Sequence, residues 1–195
     1  MPQPGKIEFE ISFRPQQGRT WPQISLELND VQLGDHIELS DDVACCKFAV
    51  AYSRSNQTTI GITYHKNSNE TVVEQGNIVS DQSLELLHIR ADGILLEPWV
   101  WTEHSYYPSY FPGFLAQNPQ APTELRSQLI WHFPGKYIMT GWPPMQDFWS
   151  WYQQQRTQRV LQGLVDPTGQ ISSNHRGMDD NDRRLASEIR DLLNV

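Results

Sequence analysis

Between residues 7 and 13 the chain alternates without a break: Ile7, Phe9, Ile11 and Phe13 are large and apolar, while Glu8, Glu10 and Ser12 between them are polar. A strand sends successive side chains to opposite faces, so this pattern makes one buried face and one wet face. A helix, repeating every 3.6 residues, would scatter the same residues around its circumference. The segment therefore predicts a strand over 6–13 that lies against a core.

The same period recurs downstream. Ile24, Leu26 and Leu28 run into Asn29-Asp30, which has turn chemistry, and Val31 with Leu33 resumes the pattern until Gly34-Asp35 is expected to break it. Ala44, Cys46, Phe48, Val50 and Tyr52 predict a long central strand over 43–53, and Ile60, Ile62 and Tyr64 another. The polar interval 65–76 reads as an exposed loop. From 78 to 101 the apolar positions Leu84, Leu86, Ile89, Ile94 and Leu96 are interrupted by Asp92-Gly93, which predicts two strands joined by a tight turn. Residues 102–122 contain Pro108, Pro112, Pro119 and Pro122 and read as a long irregular loop. Leu129, Trp131 and Phe133, then Pro134-Gly135 and the return from Tyr137 to Trp142, predict a closing hairpin. About nine short strands with turn signals make an all-β fold, a jelly-roll or β-sandwich of antiparallel sheets.

Helical spacing enters only after that hairpin. Pro143-Pro144 can open a helix in which Phe148, Trp149 and Tyr152 share a face and Trp151 lies off it, running to about residue 162. Beyond Gly163 the composition turns to Gly, Ser, Asn and Asp, as in a flexible linker. Leu185, Ile189, Leu192 and Leu193 then form the apolar face of a short helix that is too small to be stable alone and predicts docking, either on its own sandwich or on a partner. The expected organisation is a sandwich with its terminal helix over 1–162 and a linker with a helical arm over 163–195.

Composition narrows the function classes. The chain has 195 residues, seven each of Trp, Tyr and Phe, and a formal charge of −8 without a Lys/Arg cluster. Large aromatics supply a core, and the acidic balance argues against nucleic acid, because neutralising phosphate needs a basic face. No run of about 18 apolar residues exists and the first residues lack an apolar leader, so neither secretion by a signal peptide nor a membrane span is expected. Cys45 and Cys46 are adjacent, and strand alternation would send them to opposite faces as reduced thiols. The six histidines show no H-x-x-x-H spacing, so no metal site and no cofactor is expected. The acidic run around Asp179, Asp180 and Asp182 lacks the glycine and distal glutamate of a calcium loop and reads as a helix cap. Asp81, Glu85 and Glu97 are the carboxylates a glycosidase could use, but nothing sets them in a cleft, and no other enzyme motif is present. The expectation is a protein that is not an enzyme.

The strongest binding candidate is a concentration of aromatics: Trp99, Trp101, Tyr106, Tyr107 and Tyr110, with Phe111 beside them. On a sandwich loop such rings have three uses. They plug the open end of the core, anchor a protein contact, or stack on the apolar face of a sugar.

Several pieces in order also carry a resemblance. They are Leu26 to Asp30, Ile60 to Tyr64, Glu70 to Val73, Gly76 to Val79 and Asp81, then Leu84 to Leu86, Ile89 and Asp92-Gly93-Ile94, and finally Trp131, Gly135 and Trp142 running into Phe148, Trp149 and Trp151. In this order the chain resembles a family of jelly-roll proteins of tailed phages, including those of marine bacteria and cyanobacteria, which are similar to carbohydrate-binding modules. The resemblance covers about two thirds of the chain and implies a structural or adhesive virion component, assembled in the host cytoplasm and oligomeric in the particle. Its implied partners are other virion proteins through the C-terminal arm, or alternatively a host surface glycan through the loop aromatics. The vicinal cysteines, the proline-rich aromatic loop and the C-terminal tail depart from that family's pattern.

Overall fold

The computed structural model describes residues 5–51, 57–74 and 77–162. Tyr52 and the whole expected arm, with Leu185, Ile189, Leu192 and Leu193, lie outside the described residues. The chain divides into two compact units, Met1–Met145 and Gln146–Val195.

The first unit is a β-sandwich. Its strands are β1 (Lys6–Gln16), β2 (Gln23–Leu28), β3 (Val31–Glu38), β4 (Ala44–Ala51), β5 (Thr58–His65), β6 (Val72–Glu74), β7 (Asn77–Ser80), β8 (Ser83–Ala91), β9 (Ile94–Leu95), β10 (Ser105–Pro108), β11 (Leu125–Arg126), β12 (Ile130–Trp131) and β13 (Gly135–Trp142). Two short helices, α1 (Trp99–Thr102) and α2 (Pro112–Gln117), interrupt them. One sheet has the order β12-β8-β1-β4 with β9 on β8; the second has the order β11-β10-β13-β5-β2-β3; β6 and β7 form a separate pair. All pairings are antiparallel. The path crosses repeatedly between sheets, as in a jelly-roll sandwich.

Strand β1 is central because its alternation is the cleanest. Ile7, Phe9, Ile11 and Phe13 are all buried, and β4 and β8 pair on its two sides. It runs three residues past the expected end, since β8 goes on pairing to Gln16 after the β4 register stops at Phe13. Two turns form at the expected dipeptides. Asn29 and Asp30 take φ of 48° and 63°, and Asp92 and Gly93 take 49° and 78°, the left-handed pair that a two-residue hairpin requires.

Aromatic rings tie the sheets together. Trp131 of the first sheet lies flat on Tyr106 of the second, centroids 5.1 Å apart and planes 3° from parallel, and also meets Tyr137 at 5.4 Å and Tyr64 at 6.5 Å. At another point Phe9 meets Trp142 at 5.6 Å. The polar ends are satisfied: Tyr106 Oη donates to the Phe133 carbonyl and Tyr137 Oη to the Trp101 carbonyl. Among the described residues every buried side-chain nitrogen or oxygen has a hydrogen-bond partner.

Several expectations change. Gly34-Asp35 does not end a strand; β3 passes through with a register shift against β2. The interval 65–76 is not simply an exposed loop, because it carries buried Lys66 and Glu70 and the strand β6. Glu70 Oε2 accepts from the backbone N–H groups of Arg19 and Thr20 at 2.7 and 2.9 Å, and Oε1 from Thr20 Oγ1 at 3.0 Å. These charge-assisted bonds repay the burial of a carboxylate. After Asp92-Gly93 the return strand is only two residues long, and Trp99 to Thr102 form a helical turn. The segment 102–122 contains β10 and α2. The expected closing hairpin is not one: β12 pairs with β8 in the first sheet, whereas β13 lies between β10 and β5 in the second.

Cys45 is exposed and Cys46 buried, both free, as alternation requires. Burial, followed by the neighbouring Cys45, pushes the Cys46 thiol up to about 11.

The second unit is described as far as residue 162. Its helix α3 (Phe148–Leu161) follows a 3-10 turn over Met145–Asp147. Along α3, Phe148 stacks on Tyr152 with centroids 6.4 Å apart, and Trp149 stands edge-on to Tyr152 at 5.8 Å. Trp151, expected off this face, is half-buried, with its ring 5.8 Å from that of Phe148.

Candidate functional site

The five aromatics singled out in the sequence separate by burial. Trp99 is 6%, Trp101 3% and Tyr106 1% exposed, so none of the three presents an open ring face. Trp99 and Trp101 sit on α1, with Nε1 donating to Glu97 Oε2 at 2.7 Å and to the Leu96 carbonyl at 3.4 Å. Burying two indoles in one helical turn removes far more apolar area from water than a loop of the same length could, which explains why the chain turns inward here. Tyr107, the next residue after buried Tyr106 in β10, points the other way and is 41% exposed. Tyr110 is half-buried, and its hydroxyl donates to the Pro122 carbonyl at 2.9 Å.

Tyr110 belongs to a groove of about 610 Å³ in the first unit. Its lining includes Tyr106 and Trp131, the buried stacked pair of the core. A half-buried ring cluster stands beside them. Phe133 lies 4.8 Å from Tyr110 and 4.6 Å from Phe114, and Tyr110 and Phe114 stack at 5.1 Å, 23° from parallel. Phe111 joins Phe133 at 6.2 Å.

Local sequence positions these rings. Pro112, at the first turn of α2, fixes the backbone entry without losing a needed N–H and carries Phe114 round beside Tyr110. Gly135, where β13 begins, allows β10 to come close. A Cβ there would stand 2.5 Å from the Tyr107 carbonyl oxygen, nearer than any side chain tolerates.

The rest of the lining is largely apolar, with Pro108, Leu125 and Ile130 among its residues, and its polar side chains are the amides of Gln117, Asn118, Gln120 and Gln128 and the imidazole of His132. His132 is held from behind. Its Nδ1 lies 3.3 Å from Asp81 Oδ2, while Asp81 Oδ1 accepts from Lys66 Nζ at 2.5 Å and Thr71 Oγ1 at 2.6 Å. Lys66 Nζ also donates to the carbonyls of Gln82 and His132, at 2.8 and 2.7 Å. Burial opposes ionisation of Asp81, but the bonds from Lys66 and Thr71 and the Lys66 charge outweigh it and hold the carboxyl below its ordinary value.

The groove residues Phe114, Phe133, Gln128 and His132 were not distinguished in the sequence as site residues. The Phe111-Pro112 step was the available signal, since proline after an extended residue marks a helix start. Four prolines within 102–122 instead suggested a long irregular loop. Of the carboxylates considered for hydrolysis, Asp81 is engaged as described, Glu85 Oε2 accepts from Arg14 at 2.8 Å, and Glu97 accepts from Trp99. None of the three lines the groove.

Spacing along the chain also concealed a second cluster. Asp35, His36 and His65 each offer a ligand atom, and the three atoms lie within 4.8 Å of one another. The expectation of no metal-ligand set rested on histidine spacing within one segment; the sheet assembles this set from β3 and β5.

No known family model and no curated protein matches the chain. Two solved structures are similar to it. One is described as vCBM60 in complex with galactobiose, 14% identical, with a TM-score of 0.39, covering 68% of this chain and 97% of that one. The other is the selenomethionine form of vCBM60, described in the context of a circular permutation linking two families of calcium-dependent carbohydrate-binding modules. It is 9% identical, with a TM-score of 0.41, covering 69% of this chain and 90% of that one.

Proposed function

We propose that the sandwich is a non-catalytic glycan-binding module and that the groove beside α2 receives the sugar. The observation that carries this reading is the pairing of Tyr110, Phe114 and Phe133 rings with the amides of Gln117, Asn118 and Gln128 in one concave wall. A pyranose has an apolar C–H face that stacks on an aromatic ring, and hydroxyls that need paired donors and acceptors. An amide supplies both at one side chain. Recognition thus falls to Tyr110 and its neighbours rather than to Trp99, Trp101 and Tyr106, whose rings are buried.

The lining supports binding without turnover, because hydrolysis of a glycosidic bond requires two carboxyl groups flanking it and the groove has none. Following the sequence resemblance, the module would belong to a phage virion as an adhesive part. Assembly contacts with other virion proteins would then fall to residues 163–195, outside the described residues. We place adhesion ahead of assembly because aromatic rings and amides converge in the groove.

The test is calorimetric titration of the full chain with a panel of bacterial surface polysaccharides and their oligosaccharides. Saturable binding to at least one is expected, and Tyr110→Ala and Phe114→Ala should each weaken it about tenfold, the loss of one stacking contact of about 1.4 kcal/mol. Binding that survives both substitutions unchanged would remove the groove from the proposal, and silence across the panel would remove glycan recognition.

A further inference from the structure

The outer face of the second sheet carries a constellation that the groove does not use. Ile24, Leu26 and Tyr64 are buried in the core, so alternation turns Ser25 of β2 and His65 of β5 to the opposite face. On β3, Asp35 and His36 are sequence neighbours and would ordinarily point apart. They do not, because the β2–β3 register slips between Ile24 and Leu26 and His36 takes φ of 48°, a left-handed conformation costly for a residue other than glycine. The irregularity brings both side chains to Ser25 and His65. Strain of this kind clusters at working sites.

The contacts are close. Ser25 Oγ donates to Asp35 Oδ1 at 2.6 Å and lies 2.7 Å from His65 Nε2; His36 Nδ1 lies 2.8 Å from the same Asp35 oxygen. The two imidazole rings stack with centroids 4.4 Å apart and planes 9° from parallel. A single hydroxyl proton cannot serve two acceptors, so with Ser25 donating to Asp35 the imidazole of His65 donates to Ser25.

We propose that Asp35, His36 and His65 bind one divalent transition-metal ion of the zinc class through two imidazole nitrogens and one carboxylate oxygen, with Ser25 as an outer hydrogen-bond partner. Two nitrogens and one oxygen suit zinc and its neighbours rather than calcium or magnesium, which take oxygen alone. Three protein ligands also leave a fourth position for water. In a tetrahedral zinc site neighbouring ligand atoms lie about 3.3 Å apart, and the three here need to close from within 4.8 Å. The side chains of Asp35 and His36, 56% and 61% exposed, have room to rotate inward. A neutral imidazole ligates through its unprotonated ring nitrogen and a carboxylate through either oxygen.

The experiment is a Zn²⁺ titration of the full chain after chelator treatment, followed by calorimetry, with melting in chelator as the folding control. One Zn²⁺ per chain is expected. His65→Gln and His36→Asn should each lower the affinity at least tenfold while melting in chelator stays near wild type; asparagine is chosen at 36 because it tolerates the left-handed backbone. His88→Gln, at a histidine on β8 in the other sheet, should leave the affinity unchanged. Wild-type affinity in the two cluster variants, or a loss reproduced by His88→Gln, would overturn the assignment.

Discussion

Two groups of aromatic rings meet at the groove of the sandwich and differ in burial. Around Trp131 the rings of Tyr64, Tyr106 and Tyr137 are all buried, and their contacts join the two sheets. Around Phe133 the rings of Tyr110, Phe111 and Phe114 are packed almost as closely yet only half-buried. The first group comes from strands whose partners cover both ring faces. The second comes from α2, the residues just before it and the β12–β13 connection, outside the strands. Ring density alone therefore does not tell a core cluster from a groove; burial does.

Trp131→Ala would test the core half of this contrast most severely. Removing an indole that is fully buried should cost about 3–5 kcal/mol of unfolding free energy, read from a urea titration. A loss below about 1 kcal/mol would mean that the ring is not the joint between the sheets.

Lys66 sharpens the contrast from behind the groove. Its side chain is 1% exposed and holds Asp81 and two carbonyls, so Lys66→Met strands a carboxylate and should cost about 3 kcal/mol. The pH dependence has a defined sign. Because the folded Asp81 carboxyl is held below its ordinary value of 3.8, its contribution is fully present above that value and is lost as pH falls through the lower folded one. Melting temperatures followed from pH 6 to acid should drop less steeply below about pH 4 in Lys66→Met than in the wild type. Equal slopes would remove the ion pair from the acid response.

The smallest effect is expected at Tyr107, which is exposed and absent from the groove lining. Tyr107→Ala should change stability by no more than about 0.5 kcal/mol and leave any glycan affinity as it was. A clear loss of binding there would move the recognition surface to the outer side of β10.

Much of the fold was legible because it rests on local rules. The alternation from Ile7 to Phe13 predicted a buried strand, and Asn29-Asp30 and Asp92-Gly93 predicted turns whose backbone angles the structure shows. The separation of Cys45 from Cys46 followed from the same alternation. What could not be read was which strand meets which. Trp131 and Trp142 have the pattern of one hairpin, but their strands lie in different sheets, and alternation is identical in either case. The polarity of 65–76 likewise suggested water, because a sequence does not show that Lys66 and Glu70 will find carbonyls, a carboxylate and amide N–H groups waiting inside.

The candidate sites divide along the same line. By itself the sequence determined that this chain makes strands with one apolar face, concentrates aromatics after residue 98, and carries no familiar catalytic motif. Those properties depend on side-chain period and residue type. Only the tertiary structure decided that Trp99, Trp101 and Tyr106 serve the core while Tyr110 and Phe114 border a groove, and that Asp35 and His36 meet His65. Both outcomes depend on which faces are covered and which strands are neighbours, and those are long-range contacts that no single segment encodes.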